Sequence, residues 1–203
     1  MQKRFYYIFG GTDNRGIIEY NCKPKDKEEL IKLLDKLIVE RGKNGDFNDI
    51  DTSEITDMSY LFVRRNPNEL KWKKDEEDDE IDSSFNEENN ILFDFNGDIS
   101  NWDTSNVTTM KGMFMGLTSF NQDISVWDVR KVTDMSWMFR GATAFNQEIS
   151  RWNVDKVTNM DVMFSNAKAF NQDLSSWNVS NVTSKEYMFK GSGLEGNEPN
   201  WYK

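Results

Sequence analysis

The 203-residue sequence has no histidine, one cysteine (Cys22) and three prolines. Without histidine it lacks the commonest general base and metal ligand, and with them every Ser-His-Asp or Cys-His nucleophile system. A lone cysteine forms no intramolecular disulfide. No apolar stretch approaches the roughly 20 residues of a membrane span. The start, Met1 to Gly11, is basic but has only five apolar residues in a row, and neither a small-residue cleavage site nor a lipobox cysteine follows, so it does not read as an ordinary signal peptide. A basic stripe is also missing. The net charge is −10, and nine acids and two lysines between Lys73 and Glu88 supply −7 of it. The acidity is therefore local, and nothing offers the positive surface that a nucleic-acid backbone requires.

What the sequence does contain is a repeat. Phe95 to Leu194 divides without gaps into four units of 25 residues, beginning at Phe95, Phe120, Phe145 and Phe170. Each reads approximately F-N-Q-D-I-S-x-W-N-V-x-x-V-T-x-M-x-x-M-F-x-x-A-x-x. Tryptophans recur at 102, 127, 152 and 177, and a second phenylalanine column at 114, 139, 164 and 189. A fixed period of this length marks stacked units that each touch only their neighbours. In the second unit Val132, Met135, Met138 and Phe139 are spaced as one face of a short helix or 3₁₀ turn, with Thr133 at its N-cap. Thr183 and Glu186 give the fourth unit a capping-box signature. The F-N-Q-D-I-S-x-W-N-V half predicts a short strand and turn. Together these predict an α/β solenoid of strand–helical-turn repeats with parallel strands and right-handed crossovers.

The phrases FNQDISVWDV, KVTDMSWMF and FNQDLSSWNVSNVT resemble the repeat of BspA-like leucine-rich-repeat surface proteins, a repeat also found in mycoplasma lipoproteins, spirochaetes and giant viruses. The resemblance implies a leucine-rich-repeat-like solenoid and a role in adhesion or host contact. It also implies that proteins of this kind begin with a helix like Lys27 to Ile38 and end in a phrase like Pro199 to Tyr202, so the chain is expected to be complete.

Residues 1–46 read as an N-terminal cap. A β-hairpin over 3–23 precedes an amphipathic helix of about 15 residues after Pro24 and Asp26, ended by Gly42 and Gly45. A partial repeat follows at 47–62, since Asp51 to Phe62 matches Asp103 to Phe114. It lies 52 residues before its next copy, so 63–94 is an acidic insertion or a degenerate repeat, with the charge run favouring the insertion. In the fourth unit Lys185 replaces the methionine of Met110, Met135 and Met160, and 195–203 is expected to close the open end through Trp201 and Tyr202.

Three features invite a chemical role. The acidic column Asp98, Asp123, Glu148, Asp173 reads either as a calcium array or as turn caps, and the missing glycine-rich nonapeptide favours caps, so no metal or other cofactor is assigned. The column Asn96, Asn121, Asn146, Asn171 reads as an internal amide ladder. Asn106, Asn178 and Asn181 head glycosylation sequons that the turn chemistry explains equally well. No convergent titratable set suggests catalysis. Recognition is expected instead where copies differ: Asn101/Val126/Arg151/Ser176, Gly112/Trp137/Val162/Tyr187 and Met115/Arg140/Ser165/Lys190. Trp137, Arg140, Arg151, Val162 and Tyr187 are the candidate binding residues for a protein partner, having the aromatic and arginine content of binding hot spots. The resulting expectation is a non-enzymatic protein-interaction module. The alternative is a structural subunit of a surface layer or viral particle. The resemblance points to a cell surface or virion, and the missing leader to the cytoplasm.

Overall fold

A computed structural model describes residues 7–12, 18–20, 22–63 and 94–202. β1 (Tyr7–Thr12) and β2 (Ile18–Tyr20) pair antiparallel. Helix α1 (Lys27–Arg41) starts where the carboxylate of Asp26 accepts the N–H of Glu29, 2.9 Å away, and stops at Gly42, whose φ of 75° only glycine adopts freely. Its buried face, Leu30, Leu33, Leu34, Leu37 and Ile38, joins the same apolar core as the repeats. Two ion pairs moor its ends to the partial repeat at 47–62: Lys27 to Asp57 at 3.2 Å, and Arg41 to Asp49 at 2.6 Å.

Beyond α1, the described residues hold no multi-residue strand and no further helix except a 3₁₀ turn at Asn200–Tyr202. The repeats are joined by single parallel bridges, Asp57↔Thr109↔Asp134↔Asn159↔Ser184. Around each bridge, alternate N–H groups reach the next unit. Met135, Trp137, Phe139 and Gly141 donate to the carbonyls of Asn159, Asp161, Met163 and Ser165 at 2.8–3.0 Å. The intervening N–H groups of Met138, Arg140 and Ala142 close three-residue turns onto Met135, Trp137 and Phe139.

The segment expected as a helical turn is thus a chain of turns, with positive φ at Trp137 (64°) and Gly141 (70°). An α-helix would direct every N–H to its own fourth-previous carbonyl and leave none for the neighbour. Val132, Met135, Met138 and Phe139 are buried either way, which is why their spacing suggested a helix. Nor is Thr133 an N-cap. Its hydroxyl donates to the carbonyl of Thr108, as Thr158 and Thr183 do to Thr133 and Thr158.

Stacking unites the core. Phe114, Phe139, Phe164 and Phe189 lie 5.4–5.8 Å apart ring to ring, nearly parallel, and Phe120, Phe145 and Phe170 run beside them at 5.9–6.0 Å. Each indole N–H donates to the carbonyl three positions behind its equivalent in the preceding unit: Trp127 to Ile99, Trp152 to Ile124, Trp177 to Ile149. Trp201 continues the series by donating to Leu174 at 2.9 Å and stacking on Trp177, while Tyr202 meets Phe189 edge-on. At the other end, Trp102 donates to Phe47.

Residues 46–62 pair directly with 98–114 through Asp46↔Asp98, Asp57↔Thr109 and the N–H groups of Met58, Tyr60 and Phe62. No unit stands between the two in the stack. The expected insertion or degenerate repeat lies almost wholly at 64–93, outside the described residues, as do parts of the expected hairpin.

Candidate functional site

The turn chain decides which side chains face outward. One column carries, in stacking order, Tyr60, Gly112, Trp137, Val162 and Tyr187, and every member has a positive φ between 52° and 64°. Four of the five are bulky residues that pay a steric cost there, and Val162 is β-branched, the least suited of all. The glycine has a separate reason. A Cβ at Gly112 would come within 2.3 Å of the Tyr60 ring, which lies over it.

Three residues further on, Arg140 places its guanidinium 4.9 Å from the Trp137 ring centre, and Lys190 its ammonium 5.3 Å from that of Tyr187. Two aromatic–cation pairs therefore flank the smaller Val162 and Ser165 of the third unit. Trp137, Arg140 and Val162 are half-buried, and Tyr187 is 56 % exposed. The expectation that the whole third variable column lies on the surface needs correction: Met115 and Ser165 are buried, and only Arg140 and Lys190 reach out. Arg151 does not join this cluster. It sits in the exposed column of Asn101, Val126 and Ser176, where its charge helps hold the Glu148 carboxyl down. Tyr60 was missed by the sequence reading, although aligning Asp51–Phe62 with Asp103–Phe114 sets it opposite Gly112.

The acidic column has a turn-capping geometry. Asp98, Asp123, Glu148 and Asp173 each accept the backbone N–H of the serine two residues on, at 2.9–3.0 Å. Hydrogen bonds from that serine hold all four carboxyls below their ordinary range, the backbone N–H leading for Asp98 and the hydroxyl for the others. Among the described residues no three acids or cysteines are grouped as a metal cage.

The asparagine column forms the ladder its spacing suggested: Asn96, Asn121 and Asn146 accept the N–H groups of Asn121, Asn146 and Asn171 at 2.9–3.0 Å. The sequon amides are likewise engaged, Asn106 to Ser53, Asn178 and Asn181 to Asp155. Burial, then the nearby Asp49 carboxylate, pushes the Cys22 thiol up to about 11, so it is not a nucleophile near neutral pH. No helix among the described residues is long and apolar enough to cross a membrane.

The family described as "Mycoplasma protein of unknown function, DUF285" matches residues 79–201, which include all four 25-residue units and the closing tail as far as Trp201. No curated protein and no solved structure matches the chain.

Proposed function

The chain belongs to the DUF285 family, and we propose that it is a non-catalytic protein-interaction module of surface or adhesion type, with the column Tyr60–Trp137–Val162–Tyr187 as its recognition face. The observation that carries this reading is the backbone strain. Bulky side chains persist at four left-handed positions where glycine or asparagine would be more stable, and retained strain of this kind clusters at functional surfaces. We read the stack itself as a right-handed, leucine-rich-repeat-like α/β solenoid, with single parallel bridges in place of strands and turn chains in place of helical turns.

The aromatic rings are held against a rigid ladder, so little side-chain freedom is lost when a partner covers them. Arg140 and Lys190 add charge at the rim. The test uses immobilised wild-type chain and a Trp137→Ala plus Tyr187→Ala variant with an unchanged melting profile. A partner captured from host extracellular proteins by the wild type is expected to be lost by the variant. Equal retention by both would overturn the reading.

One observation favours a second reading, end-to-end assembly as a structural subunit. The N–H groups of Lys185, Tyr187 and Phe189 have no acceptor among the described residues, whereas their equivalents in every earlier unit donate to the next. An open edge of this kind is a template for another chain.

A further inference from the structure

An open basin of about 470 Å³, lined by no residue of the Trp137 column, lies where the first three units meet. Three of its lining residues are cations: Arg130 and Lys131 from the second unit and Lys156 from the third. Asp128, Asp155 and Ser105 are among the others. The chain as a whole carries −10, so a basin whose three cations outnumber its two acids runs against the overall sign.

The repeat shows that these charges are not demanded by the fold. At the same two positions the first unit has Ser105-Asn106 and the fourth Ser180-Asn181. The middle units have Arg130-Lys131 and Asp155-Lys156. Backbone geometry there is shared by all four units, so the departure from Ser-Asn is confined to the place where the basin is.

Hydrogen bonding orients two of the cations and occupies the acids. Asp128 grips Arg130 through Nε at 2.9 Å and Nη2 at 2.7 Å, leaving the Nη1 edge of the guanidinium free of that grip. Lys131 donates to Asn106 Oδ1 across the unit boundary at 2.7 Å, which spends one of its three N–H bonds. Asp155 accepts from Asn178 at 2.9 Å, so it is engaged with the fourth unit. Lys156 has no ion-pair or hydrogen-bond partner among the described residues.

We propose that this basin binds a tetrahedral oxyanion, a phosphate or sulfate group carried on a larger ligand. A fixed guanidinium and two ammonium groups, with the Ser105 hydroxyl at the wall, can each take a separate oxygen. A carboxylate has only two oxygens to share among them. The basin also falls within the roughly 300–1,000 Å³ of small-ligand sites, enough to admit a sugar bearing such a group.

The test is an NMR titration of the full chain with inorganic phosphate and inorganic sulfate at constant ionic strength, with chloride as the reference salt. Saturable shifts are expected at the backbone amides of Ser105, Arg130 and Lys156. Lys156→Gln should weaken binding at least fivefold. Lys168→Gln, which removes one charge from another surface, should leave it unchanged. Glucose 6-phosphate and glucose 6-sulfate then separate the sources, and tighter binding of one of them than of its inorganic ion identifies which group the ligand carries. Shifts that chloride reproduces, or an affinity that falls equally in both lysine variants, would show a solvated charged edge and overturn the proposal.

Discussion

At Gly112 two demands coincide, a φ of 59° and a Tyr60 ring lying where a Cβ would stand, while Gly196 has a φ of 86° and open space around it. Gly196→Ala therefore isolates the backbone cost, about 1–2 kcal/mol. Gly112→Ala should cost about 1–2 kcal/mol more than that, because the ring must move as well. The excess should vanish in a Tyr60→Ala background, a double-mutant cycle readable by urea unfolding. An excess that survives loss of the ring would show that the contact is not its source. The same contact explains why the column has glycine in this unit alone: Tyr60 from the neighbouring unit already occupies the space that Trp137, Val162 and Tyr187 fill with their own side chains.

Among the elements, the indole ladder binds each unit to the one before it. Trp152 is 4 % exposed and Trp201 is half-buried, though both make the same hydrogen bond. Trp152→Ala is expected to cost about 3–5 kcal/mol by leaving a cavity among stacked rings. Trp201→Ala should cost about 2 kcal/mol, in line with its smaller burial, and should bare the faces of Trp177 and Phe189. Sedimentation at rising concentration then reads the end-to-end tendency. A Trp201→Ala chain that stays monomeric would count against assembly through that end.

For the molecule as a whole, carboxyls held below their ordinary range set the response to pH, the acidic turns together with Asp51, Asp57 and Asp128. The carboxyls of Asp98, Asp123, Glu148 and Asp173 titrate below their unfolded values, so their contribution is complete above the unfolded pKa of about 4 and is lost as pH falls through the lower folded values. The urea midpoint is expected to be flat from about pH 7 to 5 and to decline below about pH 4. Asp123→Asn with Asp173→Asn should partly flatten that decline while keeping the turns, because Asn153 and Asn178, five residues further along the repeat, already cap turns of the same form with an amide oxygen. A decline unchanged in this variant would place the acid sensitivity elsewhere.

Much of the fold was legible because one constraint was written four times. The phenylalanine, tryptophan, valine and methionine columns recur every 25 residues, and burying them requires that units stack in that register. Asp26 and Gly42 marked the helix ends by chemistry local to the chain, and the asparagine ladder followed from a polar residue kept at one position. Tertiary structure decided the rest. A spacing of i, i+3, i+6, i+7 is buried equally by a helix and by a chain of turns, and the choice fell to the N–H groups that the neighbouring unit accepts. Trp201 follows Trp177 by 24 residues rather than 25, so its place in the indole ladder shows only once the tail has folded back. Arg130, Lys131 and Lys156 are ordinary surface charges in the sequence and become a cluster through the stacking of two units. Periodic burial is a property of each unit and can be read along the chain, whereas a site shared between units exists only where the ladder brings them together.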